Sequence, residues 1–382
     1  MKISSITAEA YSIPVKAPPL TRGFHHPFVL VRIETDDGFV GHGPSGGGGM
    51  SAAMAFFIKR MVAPVLTGEN PLNHERIWQM LYARFNQRGL TGFWSSVASA
   101  IDIALWDIKG KHARLPIATL LGGAHAARPT YVTFGVAEYS QDQLIEAAGT
   151  LIAAGHRRLK MVVGGVRQQA AGEAGTAGPP GVTGESLRED ARRVHALRDA
   201  VGPDVELMID ANCELSVAQA LELAAMVDDC DLSWFEEPVT ANHPSALAQV
   251  RARTRIPIAA GQFIGHAWEH AALVEAGAVD VVQPGVTTVG GFTEALRVAA
   301  MARACGVSIS NGGGYAQHNL HLHAGVPNGG HLEHHGLIMQ AVERVFVGLP
   351  ETQDGWMSVP AGPGLGFEPR PAEELAEFRL ES

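Results

Sequence analysis

Asp210, Glu236 and Gln262 stand 26 residues apart, each closing an apolar, strand-like run: VELMID, LSWFE and IPIAAGQ. A repeat of about this length is one strand and one helix. Three polar side chains in register at successive strand ends would therefore emerge side by side at one end of a parallel barrel. Oxygen donors converging there suit a hard divalent cation. The third is an amide, which attracts a cation less than a carboxylate does.

The rest of the chain fits that frame. From about residue 129, short apolar runs alternate with Ala/Leu-rich helical stretches. Strands are expected near 129–135, 158–163, 205–210, 232–236, 257–262, 279–283, 307–311 and 331–334, with helices such as 215–228 and 291–304 between them. Eight strands alternating with helices predict an α/β fold of the (β/α)₈ type, or a variant with one unit altered. An open doubly wound sheet is the rival, but no GxGxxG follows the first strand and eight units exceed the usual open sheet. Ahead of the barrel, residues 2–13 read as a strand and 28–43 as a hairpin turning at Asp36-Asp37-Gly38. Helical spacing follows near 51–66, 73–85 and 93–113, with Ile101, Leu105 and Ile108 on one face. The domains expected are a small α+β unit over 1–125 and a barrel over 126–350, with the Gly/Pro-rich tail 351–382 leaving the barrel to complete the first unit. Residues 164–185, rich in Gly and Ala, interrupt the rhythm after the second barrel strand, as a lid or a disordered insertion.

Composition narrows the partners. The net charge is −10 and no Lys/Arg-rich cluster stands out, which argues against nucleic acid and anionic membrane surfaces. Cys213, Cys230 and Cys305 are odd in number and widely spaced, so no disulfide framework is expected. The first residues lack the apolar core of a signal peptide, and no 18 consecutive residues are apolar. A cytoplasmic protein with no membrane partner is the expectation.

Other residues could carry chemistry. Glu236 is followed by Glu237, and neighbours on a strand point to opposite faces, so only one of the pair can enter the barrel mouth. Lys160 lies among apolar residues in RRLKMVVGG. Facing inward near a cation, its pKa would fall, as a general base needs; facing outward, it would snorkel between helices. Eight of the 17 histidines fall between His266 and His335. His321 and His323 lack the acidic partner of an HExxH motif, and these histidines read mostly as structural. Glu333, flanked by histidines on the last strand, is the better candidate for the mouth. His25 and His26, in KAPPLTRGFHHPF, and Gly46–Gly49 read as loops that could cap it.

At this point the chain resembles, over essentially its whole length, the mandelate racemase and muconate lactonizing enzyme group of the enolase superfamily. The residues that carry the likeness are AIDIALWDIKGKHARLPIATLLGG (100–123), MIDAN (208–212), WFEEP (234–238), IPIAAG (256–261), VDVVQP (279–284), Gly290-Gly291 and PNGGHLEHHG (327–336). The resemblance implies a (β/α)₇β TIM-type barrel with an N-terminal α+β capping domain. It implies Mg²⁺ held by Asp210, Glu236 and the residue at 262, a small-molecule carboxylate substrate losing its α-proton to give an enediolate, and a homo-oligomer. Departures accompany it. The resembled pattern has Lys-x-Lys on the second barrel strand, where Val162 replaces the second Lys. It commonly has an acid or Lys at the end of the sixth and His at the end of the seventh, where Gly285 and Asn311 stand. With both usual bases gone, elimination of water by a single base, Lys160 or a loop histidine, is favoured over racemisation. Lys160 and Glu333 are thus the candidate catalytic residues, and an acid-sugar-like hydroxylated carboxylate is the expected substrate. A racemase, epimerase or cycloisomerase with a different base, or a binding descendant that has lost the chemistry, are the alternatives.

Overall fold

Alternating burial builds the first layer. β1 (Ile3–Lys16), β2 (Gly23–Thr35) and β3 (Val40–Ser45) form an antiparallel sheet in that order. Val29, Val31 and Ile33 point to one face of β2 and are buried with Ile3, Ala8, Met54 and Ile58 against the helix Phe93–Ala113. That helix lies directly on β3. A Cβ at Gly41 would stand 2.1 Å from the Ala104 carbonyl oxygen, and one at Gly43 1.9 Å from that of Ala100, so only glycine permits the approach. His25 and His26 fall inside β2, paired with Pro14 and Ile13. The loop expected there is a strand, because β1 and β2 extend as a ribbon beyond the third strand. This is a computed structural model that describes residues 1–381 except 19, 21–22, 47, 90–91, 137–138 and 165–181. Most of the insertion expected at 164–185 therefore lies outside the described residues.

The helical run Gly48–Leu66 is long and apolar enough to cross a membrane by length and composition, although no 18 consecutive residues in it are apolar. Here Met54, Ala55, Ile58, Val62 and Leu66 are buried against the cap. A π turn at Ile58–Val62 interrupts the run.

The second layer is the barrel. β4 (Ala127–Phe134), β5 (Arg158–Val162), β6 (Glu206–Asp210), β7 (Leu232–Glu236), β8 (Ile258–Ala260), β9 (Val281–Val282) and β10 (Ser308–Ile309) pair in parallel, each with the next. β11 (Leu332–His335) pairs with β4, and the Asn311 N–H donates to the His331 carbonyl at 2.9 Å to close the ring. β8, β9 and β10 are shorter than their apolar runs suggest, because the polar tips leave the ladder for the mouth. Tyr131, Met208, Trp234 and Ala259, with Val281, fill the interior beneath it. Outside the ring, a shell including Val194, Leu223, Leu247, Leu273 and Val298 packs helices against strands. Ser216 caps the helix Val217–Met226 in a capping box with Gln219. In the tail, Trp356–Ser358 first pairs antiparallel with β4, and Leu380 N then donates to the Ala10 carbonyl of β1.

Candidate active site

The pleat of the barrel strands decides which side chains enter the mouth. Residues two apart share a face, so Met208 and Asp210, Trp234 and Glu236, and Tyr131 and Thr133 stack as lower and upper layers. Lys160 enters from β5 and is fully buried. Its Nζ lies 2.5 Å from Glu236 Oε1 and 3.1 Å from both Asp210 Oδ2 and Glu333 Oε1. It also sits 5.2 Å from the centre of the Tyr131 ring. The structure thus brings Lys160, Asp210, Glu236 and Glu333 into one cluster.

Each carboxylate is held from behind. Asp210 Oδ1 accepts from Asn212 N at 2.8 Å, and Glu236 Oε2 accepts from the Trp234 indole at 2.9 Å. Glu333 accepts from Thr133 Oγ1 at 2.5 Å and from Gly314 N at 2.6 Å. Burial disfavours the Lys160 ammonium, but Asp210, Glu236 and Glu333 outweigh it and hold the amine well above its ordinary value. The fall in pKa expected from the sequence is therefore reversed, since three anions touch the amine.

Gln262 lies two residues beyond β8. Its Nε2 donates to Glu237 Oε2 at 2.9 Å. Glu237 turns away from the mouth, as strand alternation requires of one of the pair. Asn311 accepts from Glu333 N at 3.0 Å and donates to the Gly312 carbonyl at 2.7 Å, so it clasps the rim.

A cavity of about 490 Å³ opens above the cluster between barrel and cap. Asp210, Gln262, Glu333, Thr133 and Val162 line it from the barrel, and Gly46, Gly48 and His26 from the cap. Two histidines also line it: His335, which the sequence grouped with the structural ones, and His26, expected in a segment capping the mouth. His335 follows Glu333 by two on β11, so it shares the inward face; that i, i+2 spacing was the available signal. Its Nδ1 is buried without a partner, and the residue lines the cavity. Burial lowers its pKa, partly offset by Glu333, so it rests neutral. His26 Nε2 lies 3.0 Å from the hydroxyl of Tyr315, and burial followed by the nearby His335 lowers His26 to about 4. No sequence signal joins His26 to Tyr315, 289 positions away. The histidines expected to be structural divide accordingly: His318, His321 and His323 are fully buried in the helix Ala316–Gly325.

The donors fit a divalent cation. Burial, with Asp210 and Glu333 nearby, holds the Glu236 carboxyl well above its usual range, which a cation would relieve, and Asp210, Glu236 and the Gln262 amide oxygen supply hard oxygen atoms at adjoining strand ends. Comparison with known proteins follows the same lines. Residues 4–122 match the mandelate racemase / muconate lactonizing enzyme N-terminal domain, and 143–373 the enolase C-terminal domain-like family. An arabinonate dehydratase of Saccharolobus solfataricus is 30% identical over 353 residues, covering 90% of this chain and 88% of its own. A D-galactarolactone cycloisomerase of Agrobacterium fabrum is 32% identical, covering 92% and 91%. A racemase from Streptomyces coelicolor, solved with bound magnesium, superposes with a TM-score of 0.86 at 28% identity, over 99% of this chain and 100% of its own.

Proposed function

The chain belongs to the mandelate racemase and muconate lactonizing enzyme group of the enolase superfamily, and from that premise we propose that it is a Mg²⁺-dependent dehydratase of a hydroxylated, sugar-acid-like carboxylate. Asp210, Glu236 and Gln262 would hold the ion. Bound there, Mg²⁺ would offset the charge that develops on the substrate carboxylate as the α-proton leaves. The observation that carries the reading is the buried cluster of three carboxylates and one ammonium with a neutral imidazole, His335, two residues along the same strand.

Lys160, buried beneath the cavity, orients the carboxylates. His335 takes the α-proton at Nε2. The electron pair of the broken C–H bond forms the C=C bond, and the β-hydroxyl leaves. His335 returns its proton to that oxygen, so water departs and the resulting enol tautomerises to a 2-keto acid. In the second reading, favoured by the Agrobacterium cycloisomerase, the same imidazole removes the proton and a ring oxygen of the substrate is expelled instead of hydroxide.

Incubation with MgCl₂ and a panel including galactonate, arabinonate and galactarate, in D₂O, tests the proposal. The expected result is a 2-keto acid from at least one member, or deuterium at its α-carbon. Neither product nor exchange from any acid sugar would refute it.

A further inference from the structure

The amide at position 262 has a carboxylate directly behind it. Gln262 Nε2 donates to Glu237 Oε2 at 2.9 Å, and Asn242 Nδ2 donates to Glu237 Oε1 at 2.6 Å. The Cys213 thiol also hydrogen-bonds to the Glu237 side chain. Three donors converge on one buried carboxylate; burial raises its pKa to about 7, and the hydrogen bonds from Gln262 and Asn242 pull it back toward the ionised form. The backbone there is held in an uncommon shape. Glu237 has φ +42°, Cys213 +62° and Asn242 +50°, all left-handed for residues other than glycine. The backbone also fixes Glu237, whose N–H donates to the Ala259 carbonyl while its own carbonyl accepts from Cys213 N, both at 2.8 Å.

An amide can present either end to a neighbour, and only its oxygen can ligate a cation. By taking the NH₂ end, Glu237 leaves Oε1 for a ligand. Gly312 supplies the room, since a Cβ there would stand 2.8 Å from Gln262 Cβ and 3.2 Å from Oε1. We propose that Glu237 is a positioning residue that turns the Gln262 oxygen toward the cation and carries, one layer further out, the negative charge that a carboxylate at 262 would supply. In this arrangement the charge has been transposed between neighbouring side chains. The inference rests on the Mg²⁺ reading above and deepens it.

Titration calorimetry of MgCl₂ into metal-stripped protein tests it without any substrate. Loss of a partner that orients a ligand costs roughly 10–100-fold in metal affinity, and that is the weakening expected of Glu237→Gln. Gln262→Glu alone should not tighten binding, because it sets two carboxylates against each other where a hydrogen bond now stands. The double variant Glu237→Gln, Gln262→Glu restores one charge and one hydrogen bond. It should bind at least as tightly as the parent. A merely structural Glu237 would not be rescued by transposing the charge. The inference is overturned if Glu237→Gln binds like the parent, or if the double variant binds no better than the weaker single one. Should Glu237→Gln fail to fold, the double variant carries the test alone. A parent protein that takes up no Mg²⁺ overturns the underlying reading instead, and this inference with it.

Discussion

Lys160→Met is the most direct probe of the charge at the barrel mouth. Met has nearly the length of Lys and none of its charge, so the substitution removes the ammonium that touches Asp210, Glu236 and Glu333. Breaking a buried ion pair by deleting one partner costs about 3–5 kcal/mol, because the remaining charge is left uncompensated. Against a typical total of about 5–15 kcal/mol, that is roughly a fifth or more of the protein's stability. Magnesium should return much of it. Unit charges 4 Å apart interact by roughly 4 kcal/mol at an effective dielectric of about 20, so the ammonium opposes a neighbouring dication before screening. Its removal should therefore tighten Mg²⁺ binding. A ligand at a hundred times its Kd stabilises the folded state by about 2.7 kcal/mol, and tighter binding adds to that. Urea unfolding followed by tryptophan fluorescence, in EDTA and in excess MgCl₂, gives all four free energies. The variant should show a deficit of about 3–5 kcal/mol in EDTA, and a clearly smaller one in Mg²⁺. A deficit below about 1 kcal/mol in EDTA would show that the ammonium is not the counter-ion of this cluster. An equal deficit in both conditions would show that the ion does not bind among these carboxylates.

Other expectations follow from the same contacts. His335→Asn should lower turnover by about 10²–10⁴-fold and abolish deuterium exchange at the α-carbon, while Mg²⁺ affinity stays unchanged; retained exchange, read by NMR, would remove His335 from proton transfer. Gly312→Ala should weaken Mg²⁺ binding without unfolding the protein, since its Cβ would press on Gln262 Cβ at 2.8 Å and on Gln283 Nε2 at 3.0 Å; calorimetry that matches the parent would refute the crowding. His318 is buried among Tyr315, Phe346 and Phe367 with neither ring nitrogen partnered, and burial lowers its pKa to about 3. The folded state leaves it neutral while the unfolded chain protonates it below about pH 6.5, so its share of stability is lost as pH falls toward 3. That loss is about 2 kcal/mol at pH 5, and His318→Leu should remove it. An unfolding free-energy difference between parent and variant that is the same at about pH 7.5 and pH 5 would contradict this.

The parts of the site that repeat were legible in the sequence, and the parts that depend on a meeting of distant segments were not. Asp210, Glu236 and Glu333 could be read because strand ends recur with the barrel and a carboxylate in an apolar run needs a reason. The direction of Lys160 was open in the sequence, and the sign of its pKa shift depends on which anions reach it. Those anions come from β6, β7 and β11, and no local pattern sets three contacts of 2.5–3.1 Å. His26 was assigned to a loop because Pro and Gly surround it, yet tertiary pairing with β1 draws the segment into a strand. Glu237 could be assigned to the outward face by alternation, but its grip on Gln262 depends on a left-handed turn that the residue type does not announce.

The placement of the two imidazoles bears on which reaction the site can run. Thr133, Val162 and His335 lie on β4, β5 and β11, three strands that adjoin one another. His26 descends from the cap to the same cavity, and the nearby His335 contributes to lowering its pKa, so the two rings are neighbours there. The far arc offers Gln262, Gly285 and Asn311. None is a base, and Asn311 is engaged with Glu333 N and the Gly312 carbonyl. Inverting a carbon requires proton acceptors on both of its faces. Groups gathered on one side can remove a proton and return it to an oxygen leaving from that side, which is what dehydration and cycloisomerisation need. On the function proposed above, His335 takes the place of the Lys absent at position 162, and Thr133, Val162 and His335 line the same cavity. Nothing among the described residues replaces the His absent at position 311. That asymmetry, more than the loss of either base alone, is what favours the proposed dehydration over racemisation.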